Sequence, residues 1–420
     1  MVWSLGFLLL SFWCQNFALA FTVPITRAPQ SAPRTWKLYV EGGNDPLVDF
    51  SEERKAEIFQ VLLRDLEIEG APLLGCDADQ AHVLQAAVWT TMAELGESDE
   101  AAKACLILES IPMDALRTLV DDFVVLKTQN RLIDNLPELQ RISVSLVGKG
   151  VGPAILIESS ARTPEESAAY RKLQEESTNI DENKSTAAMK AFMDRMVAGL
   201  EVGLEDRGVK PGPVAYRMTR SADVCIVLSA FWNCVCEMLS TSDEEMDSTI
   251  LSLPVIGTYD TTSAQAHNRF SSVAELVSKS LFLYRGEDIL ELQRMHPLYE
   301  RKLVFPADKP AHGHLPPTGW LRPMLKFNGN QDEADQFTDD QLELHNYQRR
   351  SPLPTIIIKR VSQLNAAMTQ ENDIVDLDLG DGRVEQASGV ATYSRNIIRL
   401  VGEGKDTLQT ASDAEIAIAT

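Results

Sequence analysis

Hydrophobic residues recur along the chain with two different periods, and this predicts a mixed fold. Apolar positions spaced three to four residues apart predict four helices, at residues 50–68, 78–95, 99–111 and 112–135. Apolar and polar residues then alternate, which predicts two strands around the glycine-rich segment 148–153. We therefore expect residues 48–160 to form a helical domain that ends in a β-hairpin.

The second half of the chain alternates between the two patterns. Polar residues dominate 161–187, which predicts a charged helix and a linker, and residues 188–402 are predicted to form one domain. Its strands are expected at 214–219, 248–256, 288–295 and 355–361, and its helices at 188–204, 222–239, 264–283 and 393–401.

Two further segments complete the predicted architecture. Residues 306–340, rich in Pro, Gly and Asp, predict a long loop, and residues 403–420 predict a disordered tail. No internal repeat is visible. The predicted fold class is α+β, with an N-terminal helical bundle that carries a β-hairpin and a C-terminal α/β sandwich around a mixed or antiparallel sheet.

The glycine segment between the two predicted strands also admits a phosphate-binding interpretation. A phosphate loop, however, connects a strand to a helix, whose N-terminus faces the anion. Here a strand leads to another strand, and no Lys-Ser or Lys-Thr pair ends the segment. The hairpin interpretation is favoured.

The first forty residues differ from the rest of the chain. The apolar run 5–13 is too short to span a membrane and is followed by Ala18-Leu19-Ala20, which fits a signal-peptidase site, so residues 1–20 are predicted to be a signal peptide. Residues 21–40 contain three basic residues and no acid, although the chain has 61 acidic residues. Acid-poor, arginine-bearing sequence is typical of a transit peptide.

Phe21 lies directly after the small-residue site. A signal peptide followed by such a segment resembles the bipartite plastid presequences of algae with complex plastids, such as diatoms. The resemblance implies import into the plastid stroma. The alternative is plain secretion, with residues 21–40 as a proline-rich tail.

The net charge narrows the possible partners, and the cysteine content indicates the compartment. The formal net charge of −22 disfavours nucleic acid and anionic membranes, since both attract basic surfaces. No later stretch is long and apolar enough for a membrane anchor. The cysteines outside the leader show no disulfide framework, which favours a reducing compartment. Cys225, Cys234 and Cys236 lie in an apolar run and are predicted to be buried.

Candidate chemistry concentrates between residues 267 and 360. Pro352 and Pro354 stiffen the backbone beside Arg350, and a guanidinium on a rigid support suits a carboxylate or phosphate. His296 and His345 are the candidate acid–base residues. The candidate substrate contacts are Tyr299, Asn346, Arg350, Ser351 and Arg360. The alternative is structural: the arginine pairs with an acid and the histidines bond to backbone.

His312 and His314 form a His-x-His pair within the proline-rich segment. On an extended backbone both rings lie on one side, so a zinc-like site is a weaker alternative. Nothing fixes the spacing of further ligands, and no cofactor is predicted.

Residues from about 190 to 402 resemble the bacterial and algal family called domain of unknown function 1415. The likeness is carried by His296-Pro297-x-Tyr299, by the block that runs from Asn346 to Thr355, by Arg360, and by residues 395–402. The family's Gly-Leu-x-x-Cys-Pro-Phe motif is incomplete here, because residues 199–204 lack the Cys and the Pro. The spacing between His296 and Arg350 is also longer than in the family.

The resemblance brings no established activity, and two hypotheses follow. In the first, the protein is a stromal enzyme or binder that holds a small anionic metabolite at the His/Arg site. In the second, it is a non-catalytic plastid assembly or scaffold factor that binds a protein partner and has a degenerate C-terminal domain.

Overall fold

The computed structural model describes 73–75, 80–107, 117, 120–121, 136–147, 154–177, 179–197, 213–256, 264–283, 286–301, 315–362, 374–380 and 382–419. Several predicted features lie outside these residues. They are the leader, the helix expected at 50–68, most of the helix expected at 112–135, the glycine segment 148–153, and His312 and His314. The described residues divide into two compact units. The first comprises those within 1–177, 221–240 and 271–287. The second comprises those within 178–220, 241–270 and 288–420. The predicted α+β class is confirmed.

The first unit contains a four-stranded sheet. Its elements are β1 (Leu73–Gly75), α1 (Ala81–Glu97), β2 (Ala102–Ile107), β3 (Ile142–Val147), β4 (Ala154–Ser159) and α2 (Pro164–Ser177). The strand order is β1-β2-β4-β3, with β1 and β2 parallel and the other pairs antiparallel. The predicted β-hairpin is therefore confirmed, with Val147 opposite Ala154 at its closed end.

The helix predicted over residues 99–111 is wrong for residues 102–107, which form β2. Four successive residues of this strand, from Ala104 to Ile107, are buried. A strand covered on both faces has a continuous apolar run, which periodicity cannot distinguish from a buried helix.

The second sheet follows α3 (Glu182–Val197). Its elements are β5 (Val214–Met218), α4 (Val224–Ser240), β6 (Ser248–Ser252), α5 (Ala264–Leu283), β7 (Leu290–Met295) and β8 (Thr355–Arg360). The strand order is β5-β6-β8-β7, with β5 and β6 parallel and the other pairs antiparallel. All four predicted strands are confirmed to within a few residues.

The two sheets thus share one strand plan. In both, a parallel β–α–β crossover is joined to an antiparallel pair. The crossover helices α1 and α4 have 17 residues each. Each carries a tryptophan at its ninth position (Trp89, Trp232) and a glutamate at its fourteenth (Glu94, Glu237). The likeness lies in the strand order and in these helix positions, and it is not visible as a repeat along the sequence.

Short helices replace part of the predicted long loop. Residues 318–342 form a 3-10 helix (Thr318–Trp320), α6 (Leu321–Phe327), α7 (Gln331–Gln336) and α8 (Asp339–Leu342), and a second 3-10 helix covers Glu343–Gln348. Thr338 and Gln341 form a capping box at the start of α8. The loop prediction is therefore wrong for these residues. Helices this short do not fill the window over which a periodic pattern can be recognised, so the sequence pattern did not indicate them.

The predicted disordered tail is also wrong. After the hairpin of β9 (Val375–Asp378) and β10 (Val384–Ala387), α9 covers Val390–Glu403 and α10 covers Lys405–Ala419. Gly404, with φ of 79°, separates the two helices. Helix α10 contacts α3, and Glu415 pairs with Arg195 at 2.6 Å.

The predicted burial of the three cysteines is correct for two of them. Cys225 and Cys234 are buried, whereas Cys236 is only partly buried. Within the described part of the chain, no helix is long and apolar enough to cross a bilayer.

Candidate anion-binding site

The segment 296–354 joins β7 to β8 and carries most of the predicted site residues. Met295 at the end of β7 lies opposite Thr355 at the start of β8. The amide of His296 donates to the carbonyl of Arg349 at 3.0 Å, so the segment returns to the point where it left the sheet. These residues all belong to the second unit.

His296 is fully buried and neutral. Its Nδ1 accepts a hydrogen bond from the amide of Leu298 at 3.0 Å, which assigns the ring proton to Nε2. The ring lies 4.7 Å from that of His267 and 5.2 Å from that of Phe270. Burial, with a smaller effect of His267, lowers the pKa of His296 to about 3. Nε2 has no hydrogen-bond partner among the residues described.

His345 connects two backbone segments. Its Nδ1 lies 3.0 Å from the carbonyl oxygen of Leu342, and its Nε2 lies 3.3 Å from that of Pro316. Burial lowers its pKa to about 4, although the carbonyls oppose this shift. A neutral ring can donate to only one of these two carbonyls, and both nitrogens face backbone oxygens, so this geometry supports a structural role better than acid–base catalysis.

Three of the predicted substrate contacts are also engaged with the protein. Asn346 accepts from the Arg301 amide at 2.7 Å, and the Ser351 hydroxyl donates to the carbonyl of Leu353. Arg360 lies at the far end of β8, where it pairs with Asp243 at 3.0 Å. Arg360 is therefore not part of the constellation around His296.

Arg350 packs against two tyrosines. Its Nε donates to the carbonyl of Tyr299 at 3.1 Å, and its guanidinium lies 4.6 Å from the ring centre of Tyr347. The hydroxyl of Tyr299 accepts from the Leu315 amide at 3.0 Å. Arg350 thus links Tyr299 and Tyr347 through its Nε and the face of its guanidinium.

Arg349 is the site residue that sequence reasoning missed. The residue is 7% exposed, and its Nη1 is buried without a hydrogen-bond partner among the described residues. A buried guanidinium without a counter-ion costs several kcal/mol. Because buried charges in native proteins are normally paired, this group is a candidate contact for an anion. The Arg-Arg doublet is the only sequence signal, and it does not show which member points inward.

Other charged and hydroxyl groups surround Arg349. Burial raises the pKa of Tyr299, and the positive charges of Arg349, Arg301 and Arg294 oppose that rise. Burial likewise raises the pKa of Tyr393, again opposed by Arg349. Three arginines thus act on Tyr299, whereas at Tyr393 the charge of Glu291 opposes that of Arg349.

The residues that carry the family resemblance are thus partly brought together. His296, Tyr299, Asn346 and Arg350 meet at one end of the sheet, whereas Arg360 does not. No family model, curated protein or solved structure matches the chain, so the resemblance to domain of unknown function 1415 remains a prediction. Among the described residues, no group of three or more His, Cys, Asp or Glu side chains could hold a metal ion.

Proposed function

We propose that this protein binds a small anionic metabolite in its second unit, with Arg349 as the principal contact. The observation that carries the proposal is the buried Nη1 of Arg349, which has no protein partner within the described residues. A planar guanidinium binds carboxylates and phosphates through paired hydrogen bonds. The ligand would supply the missing acceptor.

Burial and net charge both favour a small ligand over a macromolecule. Arg349 is 7% exposed, so a large anionic surface could not reach its guanidinium. The chain's formal charge of −22 also repels polyanions at long range. A single carboxylate or phosphate group satisfies both conditions.

Native mass spectrometry and thermal shift test the proposal. The purified protein is screened against inorganic phosphate, phosphorylated sugars and small carboxylates. We expect a stabilising anion for the wild type, and about a tenfold weaker response in Arg349→Gln, because a hydrogen bond from a charged donor is lost. Arg350→Gln is the matched control, since it removes the same charge one residue away and should keep the response.

Two results would oppose the proposal. If no anion binds and Arg349→Gln unfolds, Arg349 is structural, and the scaffold hypothesis becomes the better one. If Arg350→Gln alone abolishes binding, the site has been assigned to the wrong arginine.

We also propose plastid delivery through residues 1–40. The support is the small-residue site at Ala18 to Ala20, followed by Phe21 and an acid-free segment. Fusion of residues 1–40 to a fluorescent protein, expressed in an alga with complex plastids, should label the plastid stroma. Phe21→Ala should leave the fusion in the secretory pathway. Stromal labelling by the variant would contradict the role of Phe21.

A further inference from the structure

Helix α10 lies against α3 as a helix lies in a groove. The residues that it turns towards the protein are spaced at i, i+4, i+7 and i+11, which is one side of an α-helix. These four anchors are Leu408, Ser412, Glu415 and Ala419. Leu408 packs with Tyr347 and Leu400, and Ala419 packs against an apolar cluster that includes Phe192 of α3. Two of the four anchors are polar, so α10 is held by a few specific contacts.

One ion pair fixes the register of α10 on α3. Glu415 accepts two hydrogen bonds from Arg195, at 2.6 Å from Nε and at 3.0 Å from Nη2. Arg195 is also placed by α3 itself. Its guanidinium lies 5.4 Å from the ring centre of Phe192, and its Nη1 lies 3.8 Å from the sulfur of Met196. A buried ion pair of this kind selects one register over others more than it adds stability.

A single residue separates α10 from α9. The amide of Gly404 donates to the carbonyl of Leu400 at 3.1 Å, and the carbonyl of Gly404 accepts from the amide of Leu408 at 3.2 Å. Helical hydrogen bonds therefore reach Gly404 from both sides, and only its own torsions, φ of 79° and ψ of 155°, interrupt the helix. Glycine alone adopts this region readily. Rotation of this one residue would join α9 and α10 into a continuous helix about 45 Å long.

The continuous helix would carry α10 away from the groove on α3. Another copy of the chain brings an α10 with the same four anchors, and its Glu415 meets the same Arg195. If two copies exchange their α10 helices, both grooves are filled and every contact of α10 with α3 is kept. The two forms then differ in the torsions of two hinges. Short hinges between well-formed elements favour such an exchange.

We propose that two copies of this chain form a dimer by exchanging α10, with Gly404 as the hinge and the groove on α3 as the contact surface. The dimer goes beyond the proposed anion site and does not depend on it. The formal charge of −22 on each copy opposes their approach. The dimer should therefore strengthen as salt is raised to physiological ionic strength, which screens charges beyond about 8 Å.

The hinge is tested with Gly404→Ala. Alanine disfavours the bent torsions and favours the continuous helix. No atom lies within 4 Å of the added Cβ, so backbone strain is its main cost. Each hinge should contribute about tenfold, and the dimerisation constant from sedimentation equilibrium should rise about a hundredfold. Gly402→Ala is the matched control, because it adds the same methyl group in open space within α9 and should leave the constant unchanged.

The groove is tested with two charge-swapped variants, Arg195→Glu and Glu415→Arg. Each variant alone places like charges in the groove, whether α10 comes from the same copy or from an identical one. In a mixture, exchange brings the introduced glutamate to the introduced arginine and leaves native Arg195 with native Glu415. Native mass spectrometry, with one variant labelled with heavy nitrogen, should show a heterodimer that is about tenfold more abundant than either homodimer.

The heterodimer is the deciding result. The proposal is wrong if the mixture gives no heterodimer, whatever the hinge variant does, because α10 of one copy then does not enter the groove of another. It is also wrong if Gly404→Ala and Gly402→Ala have the same dimerisation constant. Dimers that form equally in the unmixed charge variants would use another surface and would contradict it as well. Anion binding through Arg349 is expected in every case, so the proposed function is judged separately.

Discussion

The two four-stranded sheets have the same strand order, and the connection between their last two strands differs greatly in length. In the first sheet, residues 148–153 join β3 to β4; in the second, residues 296–354 join β7 to β8. His296, Tyr299, Arg349 and Arg350 all lie in the longer connection. The strand plan alone therefore does not carry the candidate chemistry, which belongs to a segment inserted into one copy of that plan.

Arg162 of the first unit has a buried side chain, and Arg349 is one of four buried arginines among the described residues of the second unit. The two are used differently. Arg162 donates to the carbonyl oxygens of Gly96, Glu97 and Ser98 at the end of α1. It also pairs with Asp99 at 3.3 Å and lies 3.6 Å from the ring centre of Tyr170. Arg162 thus satisfies the free carbonyls of a helix end, which is a structural role.

Arg349 differs from Arg162 in the hydrogen bonds of its guanidinium. Arg349 contributes backbone hydrogen bonds, but its Nη1 has no acceptor among the described residues. The guanidinium of Arg162 is bonded to carbonyl oxygens and a carboxylate, whereas that of Arg349 is the one we propose for a ligand.

Arg162→Met should destabilise the first unit by about 3 kcal/mol, because it leaves three part-buried carbonyls and Asp99 without their donor. Urea unfolding followed by circular dichroism measures the change. A loss below about 0.5 kcal/mol would show that the arginine is dispensable to the fold and would remove the contrast.

Mild acid should weaken the second unit. His296 and His345 have folded pKa values of about 3 and 4, below the ordinary 6.5. Below pH 6.5 the unfolded chain therefore binds protons that the folded chain does not. The stabilisation that the two neutral histidines provide is complete above pH 6.5 and is lost as the pH falls towards their folded pKa values. At pH 5 the loss is about 2 kcal/mol for each histidine.

Hydrogen exchange at pH 7 and pH 5, corrected for the intrinsic rate, measures this loss. His296→Asn keeps an acceptor for the Leu298 amide and should reduce the pH dependence. An unchanged dependence in the variant would mean that other groups control the acid response.

Glu415→Gln should loosen α10 by about 1 kcal/mol. The wild-type carboxylate makes two bonds to Arg195, at 2.6 and 3.0 Å, and the amide cannot keep both as charged contacts. Limited proteolysis within residues 405–419 reports the change. Glu403→Gln is the control, because its pair with Arg399 is longer, at 3.8 Å, and more exposed, so it should have almost no effect. Equal cleavage of both variants would contradict the role of the Glu415 pair.

Much of the element order could be predicted from the sequence. The helix α5 has the predicted bounds of 264–283, and the strands of the second sheet were recognised because β-branched runs are bounded by turn residues. Strand β2 and helix α10 were missed for opposite reasons. Burial on both faces hides the strand period in β2, and a polar, weakly amphipathic sequence conceals α10, whose stability depends on contacts with α3.

The candidate site was predicted in position but not in detail. The segments around His296 and Arg350 do meet, as the pattern of histidines and arginines suggested. Side-chain roles, in contrast, depend on which partner each group finds in the folded chain. Arg349 and Arg350 are adjacent and chemically identical, and only the backbone turn before β8 decides which one packs on Tyr347 and which one has an Nη1 without a partner among the described residues.

The most direct test of the central claim is the thermal stability of Arg349→Met in the absence of any added ligand. Methionine fills a similar volume without a buried charge. If Arg349 serves a ligand, the variant should melt at the same temperature as the ligand-free wild type or a few degrees higher, while it loses the response to anions. A melting temperature well below that of the wild type would show that the protein itself depends on the guanidinium, and the account of Arg349 as an anion site would be wrong.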